Sequence, residues 1–267
     1  MGYIHSEDLI FEKEDGIAIL TLNRPERLNA FSLGIREGII NAAEEVGSDD
    51  SLKTLIITGA GRAFCAGADF KAIGAGEFPP KAAEGRRGVI GPLGLPVIAL
   101  SKLEKPVIAA VNGVAVGGGF ALSLACDIRI ASDRARFNTQ FVNRSVSGEW
   151  GVAWTLPRLV GRAKALELMW TGDFFDAHEA LGMGIVNRVV PHDDLMKEAR
   201  QFARRLAEGP SLAIDMMKHL ITAGEKIDFQ TLVELEMYVV GIHANTDDFK
   251  ESTRAFVEKR SPVFKGH

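Results

Sequence analysis

The stretch NGVAVGGGFALSLACD, residues 112–127, decides how this chain is read. Three consecutive glycines open an apolar helix directly after a run, 106–111, that has the composition of a buried strand. Glycine lets the main chain come close to a ligand, and the first turn of a helix presents free N–H donors at the positive end of its dipole. A corner built this way can hold an anion, or a carbonyl oxygen as it takes up negative charge.

A second corner of the same kind lies earlier, where the run 52–58 leads into GAGRAFCAGADFKAIG, residues 59–74. Ala66, Gly67 and Ala68 again leave the backbone exposed. Two N–H sites on small-residue turns, each after a buried strand, are what a carbonyl oxygen needs if it is to become an oxyanion. Either turn alone is also explained by tight turning and close strand-to-helix packing.

The 267 residues, 46% of them hydrophobic, suffice for a full core. Net charge is −4, from 31 basic and 35 acidic residues without a long block of one sign, which argues against a nucleic-acid partner. Cys65 and Cys126 are the only cysteines and no charged-then-apolar leader opens the chain, so a reducing, cytoplasmic setting is expected. The uncharged run 106–126 is long enough to pass a crude membrane filter, but its glycines break it near the middle and make it strand, turn and helix of a folded core. The six histidines lack metal-ligand spacing, so no metal is expected. The triple glycine is also a poor dinucleotide fingerprint, since Leu122 stands where a third glycine belongs.

Along the chain, short β-type runs alternate with helical ones: strands over 9–12, 17–22, 52–58 and 106–111, and a helix over 32–46. This is an α/β pattern. Residues 74–96, rich in Gly, Pro and charge, read as a loop or lid beside a site. Beyond about residue 150 helices dominate, over 152–160, 163–170, 177–181, 193–207, 211–223, 229–243 and 246–259, with one strand over 185–190. The last sixty or so residues alternate charged and apolar faces, suited to packing on a body or on a neighbouring subunit.

The two corners, their order, and the stretches LTLNRPERLNAFS (20–32), ITGAGRAFCAGADFK (57–71), KPVIAAVNGVAVGGGFALSLACDIRIAS (105–132) and LPRLVGRAKALELMWTGDFFDAHEALGMGIVNRVVP (156–191) together resemble the crotonase superfamily of enoyl-CoA hydratases and isomerases. The resemblance implies an α/β fold, a spiral of ββα units in two roughly perpendicular sheets. It places the spiral core with its acyl-CoA site over 1–200 and a helical oligomerisation region, building homotrimers or dimers of trimers, over 201–267. It also implies a coenzyme A thioester as substrate, without a separate cofactor, and an oxyanion hole made by the amides of Ala68 and Gly118.

The chain departs from the hydratase pattern at its acids. Where that pattern has two glutamates, this sequence has Ala121 and Phe141, and neither moves a proton. Eight residues beyond Phe141 lies Glu149, at the position where isomerase and dehalogenase branches of the superfamily carry a working carboxylate. Two readings of Glu149 stand: a single base that shuttles a proton, or a structural acid in the first turn of a helix that begins near Gly151 and is capped by Ser147. Phe141, Trp150 and Trp154 are candidates for the acyl pocket, Trp154 being equally a core aromatic.

Contacts to the CoA portion follow from the resemblance: Arg27, Leu28 and Ala30; Cys65, Ala66, Asp69 and Phe70; Gly117; and Lys259. Arg27 and Lys259 are equally read as solvated charges. Asp69 is read as ordering the turn, Cys65 as a small buried residue, and Asp127 and Arg129 as serving the fold. Three functions remain open at this point: double-bond isomerisation, hydration or other enolate chemistry on a cyclic or aromatic acyl group, and non-catalytic acyl-CoA binding.

Overall fold

The computed structural model describes residues 7–76 and 94–266. Strands β1 (Leu9–Glu14) and β2 (Ile17–Leu22) form an antiparallel hairpin, turned by Asp15 and Gly16 with φ of 44° and 78°. Helix α1 (Leu33–Ser48) follows, its first turn capped by Ser32 Oγ, which accepts the Ile35 amide at 3.0 Å.

Three successive passes then share one plan. Strand β3 (Thr54–Gly59) is followed by the short β4 (Ala63–Cys65) and helix α2 (Phe70–Gly74). After helix α3 (Leu95–Lys102), strand β5 (Val107–Val111) is followed by the short β6 (Val114–Val116) and helix α4 (Gly118–Ala125). Strand β7 (Ile128–Ser132) is followed by β8 (Arg136–Asn138). The long strands enter a six-stranded sheet and the short ones a four-stranded sheet, with parallel pairing between successive passes in both. This is the expected spiral.

The remainder comprises α5 (Val152–Val160), α6 (Arg162–Thr171), β9 (Phe175–Asp176), α7 (Ala177–Gly182), β10 (Arg188–Val190), α8 (Leu195–Ala207), α9 (Ser211–Gly224), α10 (Phe229–His243) and α11 (Asp247–Glu258). The large sheet runs β1-β2-β3-β5-β7-β10 and the small one β4-β6-β8-β9.

Because parallel strands covered on both faces need apolar residues throughout, β3 and β5 are almost wholly buried. Their alternate residues face opposite ways. Ile56, Ile108, Ala110 and Ile130 pack with Leu195, Ala199 and Ala203 of α8, while Leu55, Ile57, Ala109 and Ala131 join the core shared with α1 and α4. The expected boundary at residue 200 falls inside α8, whose apolar stripe covers the large sheet. Helices α10 and α11 carry a broad exposed apolar surface that includes Phe229, Tyr238, Phe256 and Val257.

Of the expected loop over 74–96, residues 77–93 lie outside the described residues. The strand expected over 185–190 is confined to Arg188–Val190, since the Ile185 amide turns back to bond the Ala180 carbonyl at the end of α7. Among the described residues no helix is long and apolar enough to cross a membrane.

Candidate active site

Register in the small sheet brings the two corners together. Parallel pairing of β4 with β6 sets Ala63 beside Val114 and Cys65 beside Ala115, so both strands end side by side and their following turns meet. Contact there is close: a Cβ added at Gly67, where φ is +78°, would lie 2.6 Å from the Val116 carbonyl oxygen and 3.0 Å from the Gly118 nitrogen. Neither the Ala68 nor the Gly118 amide donates to any of the described residues. Gly118 is the first residue of α4, and Gly117 before it holds φ 55° and ψ −119°, a conformation that favours glycine.

The first corner is braced from the preceding segment. Leu28 and Asn29 both adopt left-handed backbone, which lets the Leu28 carbonyl accept the Ala66 amide at 2.9 Å and the Phe31 amide reach the Gly67 carbonyl at 2.8 Å. Asp69 caps α2 through the Ala72 amide and pairs with Arg24 at 3.4 Å, so it orders the turn as its sequence position suggested. Asp127 and Arg129 likewise hold the fold: Asp127 accepts the Val107 amide and a bond from Lys218, and Arg129 donates to the carbonyls of Cys126 and Ile185.

Glu149 reaches the same place from the other side. Trp150 and Gly151 have φ of +55° and +77°, and the Trp150 ring stacks on Phe31 at 4.1 Å. This sharp turn keeps Glu149 out of α5, which starts at Val152 with Gly151 as N-cap and no side-chain capping bond. Ser147 therefore does not cap the helix. The Glu149 side chain points instead at α4, with Oε1 2.6 Å from where a Gly118 Cβ would stand. Burial raises its carboxyl above the ordinary value, and the positive charge of Arg36 opposes that rise.

A cavity of about 190 Å³ lies between these parts. From the sequence candidates Ala66, Ala68, Phe70, Gly117, Gly118, Phe141 and Glu149 line it. Arg27, Leu28, Ala30, Cys65, Asp69, Trp150 and Lys259 are not in the lining: Arg27 is exposed in a 3-10 turn, Leu28, Ala30 and Asp69 lie behind the first corner, Cys65 is fully buried, Trp150 backs Phe31, and Lys259 ends α11. Ala121 and Phe141 are both buried, and Phe141 lines the cavity.

Trp154 is neither pocket nor core. It is 47% exposed, with the Arg158 guanidinium 3.3 Å from its ring centroid. Two residues from each of the buried Val152 and Leu156, about half a helical turn, it lies away from them on the outer face of α5.

Sequence reading also missed Arg36, a lining residue on α1 that is only 6% exposed. A signal was available: Ile35, Ile39, Ala42 and Val46 form the buried stripe of α1, and Arg36 and Ala43 lie along its edge. A charge beside a buried stripe marks a group with a partner or a task. Ile73, Val116, Gln140, Arg144 and Val146 complete the wall.

Both cysteines are buried, and burial pushes each thiol up to about 12. A thiol so protonated and enclosed is no nucleophile. Native protein treated with iodoacetamide is therefore expected to stay unmodified at both positions by mass spectrometry, with labelling only after denaturation; rapid native labelling of Cys65 would show that β4 opens to solvent.

The fold is the crotonase fold. A crystal structure of an enoyl-CoA hydratase from Bacillus anthracis matches with a TM-score of 0.90 at 32% identity, covering 97% of this chain and all (100%) of that one. A family model described as enoyl-CoA hydratase/isomerase matches residues 12–267, and the chain belongs to that family. Its relatives carry both names. A 1,2-epoxyphenylacetyl-CoA isomerase of Escherichia coli is 37% identical, covering 97% of this chain and 99% of the relative. A crotonyl-CoA hydratase of Syntrophomonas wolfei is also 37% identical, over 97% and 98%.

Proposed function

We propose that this enzyme shifts a double bond within an enoyl-CoA, with the CoA thioester as substrate and no further cofactor. The observation that carries the reading is the carboxyl inventory of the cavity: among the described residues lining it, Glu149 is the one carboxyl group, placed against Gly118. Addition of water needs a group to activate the water and a group to deliver a proton. Movement of a double bond needs one group used twice.

In this mechanism the thioester oxygen lies against the Ala68 and Gly118 amides. Glu149 removes a proton from C2, and the electron pair moves through C1 so that the oxygen becomes negative, conjugated with the C3–C4 double bond. Each amide is worth about 3 kcal/mol to that dienolate. Glu149 then returns the proton at C4, the double bond settles between C2 and C3, and no water is consumed. The exposed apolar surface of α10 and α11 fits the homotrimer, or dimer of trimers, that the resemblance implies. The helices after α8 serve that assembly, and the chain works in the cytoplasm.

A second reading has its own support. The E. coli relative is named for an epoxidised cyclic acyl-CoA, and Phe70, Ile73, Phe141 and Val146 give the cavity an apolar wall that suits a ring. Enolate chemistry on a cyclic acyl group uses the same two amides and the same base.

Purified protein assayed side by side with trans-3-hexenoyl-CoA and crotonyl-CoA tests the choice through absorbance of the conjugated enoyl thioester. The expected result is a rising signal with the 3-enoyl substrate and no change with crotonyl-CoA. Hydration of crotonyl-CoA would overturn the one-base reading, and silence with both esters would direct the search to cyclic acyl groups.

A further inference from the structure

We propose that Arg36 is the positioning charge of this site: lining the same cavity as Glu149, its guanidinium keeps the base ionised and ready to accept a proton. The inference rests on Glu149 being the base.

Geometry carries the argument. Arg36 lies on the fourth residue of α1 and is buried, yet it borders the cavity that Glu149 borders. Its guanidinium carbon stands 5.7 Å from the centroid of Phe31, and Phe31 stacks on Trp150, the residue next to Glu149. The Phe31 ring and the Glu149 carboxylate flank one point, the missing Gly118 side chain, at 2.8 and 2.6 Å. Arg36, Phe31, Trp150 and Glu149 are thus linked neighbour to neighbour beside Gly118, with Arg36 and Glu149 both on the cavity wall.

The groups that face Glu149 make Arg36 the one with an electrostatic task. From β4 comes Cys65, whose thiol is neutral because burial pushes it up to about 12. From the 3-10 turn Val142–Arg144 comes Arg144, exposed, with its guanidinium 4.7 Å from the Phe70 ring centroid. α4 contributes backbone and Gln140 a neutral amide. Burial raises the Glu149 carboxyl and so favours its protonated form, and the opposite charge of Arg36 in the same low-dielectric space counters that. The cation is also matched throughout the reaction: as Glu149 takes the proton, negative charge passes to the thioester oxygen beside it, so Arg36 faces one negative charge at each stage.

The test is the pH profile of kcat/KM for trans-3-hexenoyl-CoA in Arg36→Gln and Arg36→Lys. The expected result is an acid limb moved upward by on the order of one pH unit in Arg36→Gln. Rate on the acid side then falls about tenfold for each pH unit that the limb moves. The two profiles should converge on the alkaline plateau, and Arg36→Lys should return the limb toward its original position. A raised KM with the limb unmoved would make Arg36 a substrate contact and overturn the proposal. Equal loss at every pH in both Arg36→Gln and the stem-preserving Arg36→Met would make it a folding residue and overturn the proposal as well.

A readout without turnover separates this inference from the reading beneath it. Replacing Trp154 and Trp170 by Phe leaves Trp150 as the single tryptophan of the original three. Its fluorescence then reports titration of the adjacent Glu149, identified by its loss in Glu149→Gln. If Arg36→Gln moves that titration upward, the proposal is supported even where the substrate is another acyl-CoA, and an unmoved titration overturns it. If Glu149→Gln retains full turnover, the reading of Glu149 as base fails on its own.

Discussion

Glu149→Gln is expected to lower kcat for isomerisation of trans-3-hexenoyl-CoA by about 10³-fold, with little change in KM. Glutamine keeps the volume and the sharp turn at Trp150 and Gly151, so the cavity and both amides stay as they are. What disappears is the basic carboxylate that takes the C2 proton, since an amide oxygen accepts hydrogen bonds but is too weak a base to be protonated. Because that interaction develops in the transition state, substrate binding should survive its removal. Proton exchange gives a sharper measurement than rate alone: wild-type protein in deuterium oxide should wash label into C2 or C4, and the variant should not. In the wild type, burial sets the Glu149 carboxyl above the ordinary 4.5, with Arg36 holding part of that rise back. The base acts when deprotonated, so kcat/KM should fall as pH drops through this raised pKa, and its acid limb should lie above the usual carboxylate range. A loss of only a few fold in Glu149→Gln would remove Glu149 from the chemistry.

How much of this site was legible in the sequence depends on what fixes each part. Strands β3 and β5 were plain because a parallel strand covered on both faces must be apolar throughout. The short strands β4, β6, β8 and β9 were not, since two or three residues carry no periodicity and become strands only through pairing across passes. Strand β7 was hidden by Arg129, a charge in its interior that is tolerated because carbonyls of Cys126 and Ile185 accept its donors. The two corners were visible as glycine and alanine turns, but their meeting depends on β4 pairing with β6, which no local pattern states. Glu149 was found by resemblance. Its aim depends on left-handed backbone at Trp150, a residue that rarely adopts it and is held there by stacking on Phe31. Trp154 misled because an aromatic residue near a site suggests pocket or core, whereas a cation stacked on its ring keeps it at the surface.

Two adjacent glycines should fail in opposite ways when given a side chain, and this separates the catalytic demand on the turn from the packing demand. At Gly119 an added Cβ would stand 2.0 Å from the Cys65 carbonyl oxygen and 2.6 Å from its carbon. Both are backbone atoms of β4, so relief requires α4 to move off the small sheet. Gly119→Ala is expected to cost about 3 kcal/mol or more, the upper range for overpacking, seen as a lowered denaturation midpoint or as insoluble protein. At Gly118 the added Cβ meets only side-chain atoms, Glu149 Oε1 at 2.6 Å and Phe31 Cε2 at 2.8 Å. A carboxylate can swing away at small cost in stability, and here the swing carries off the base and fills the space beside an oxyanion donor. The buried Phe31 ring, stacked on Trp150, must shift as well, so Gly118→Ala should lose less stability than Gly119→Ala while turnover falls by about 10²-fold or more. The pairing of outcomes is the measurement: retained activity in a soluble Gly118→Ala would show that the carboxylate need not touch this turn. Equal destabilisation of both variants would mean that Gly118, like Gly119, is there for packing.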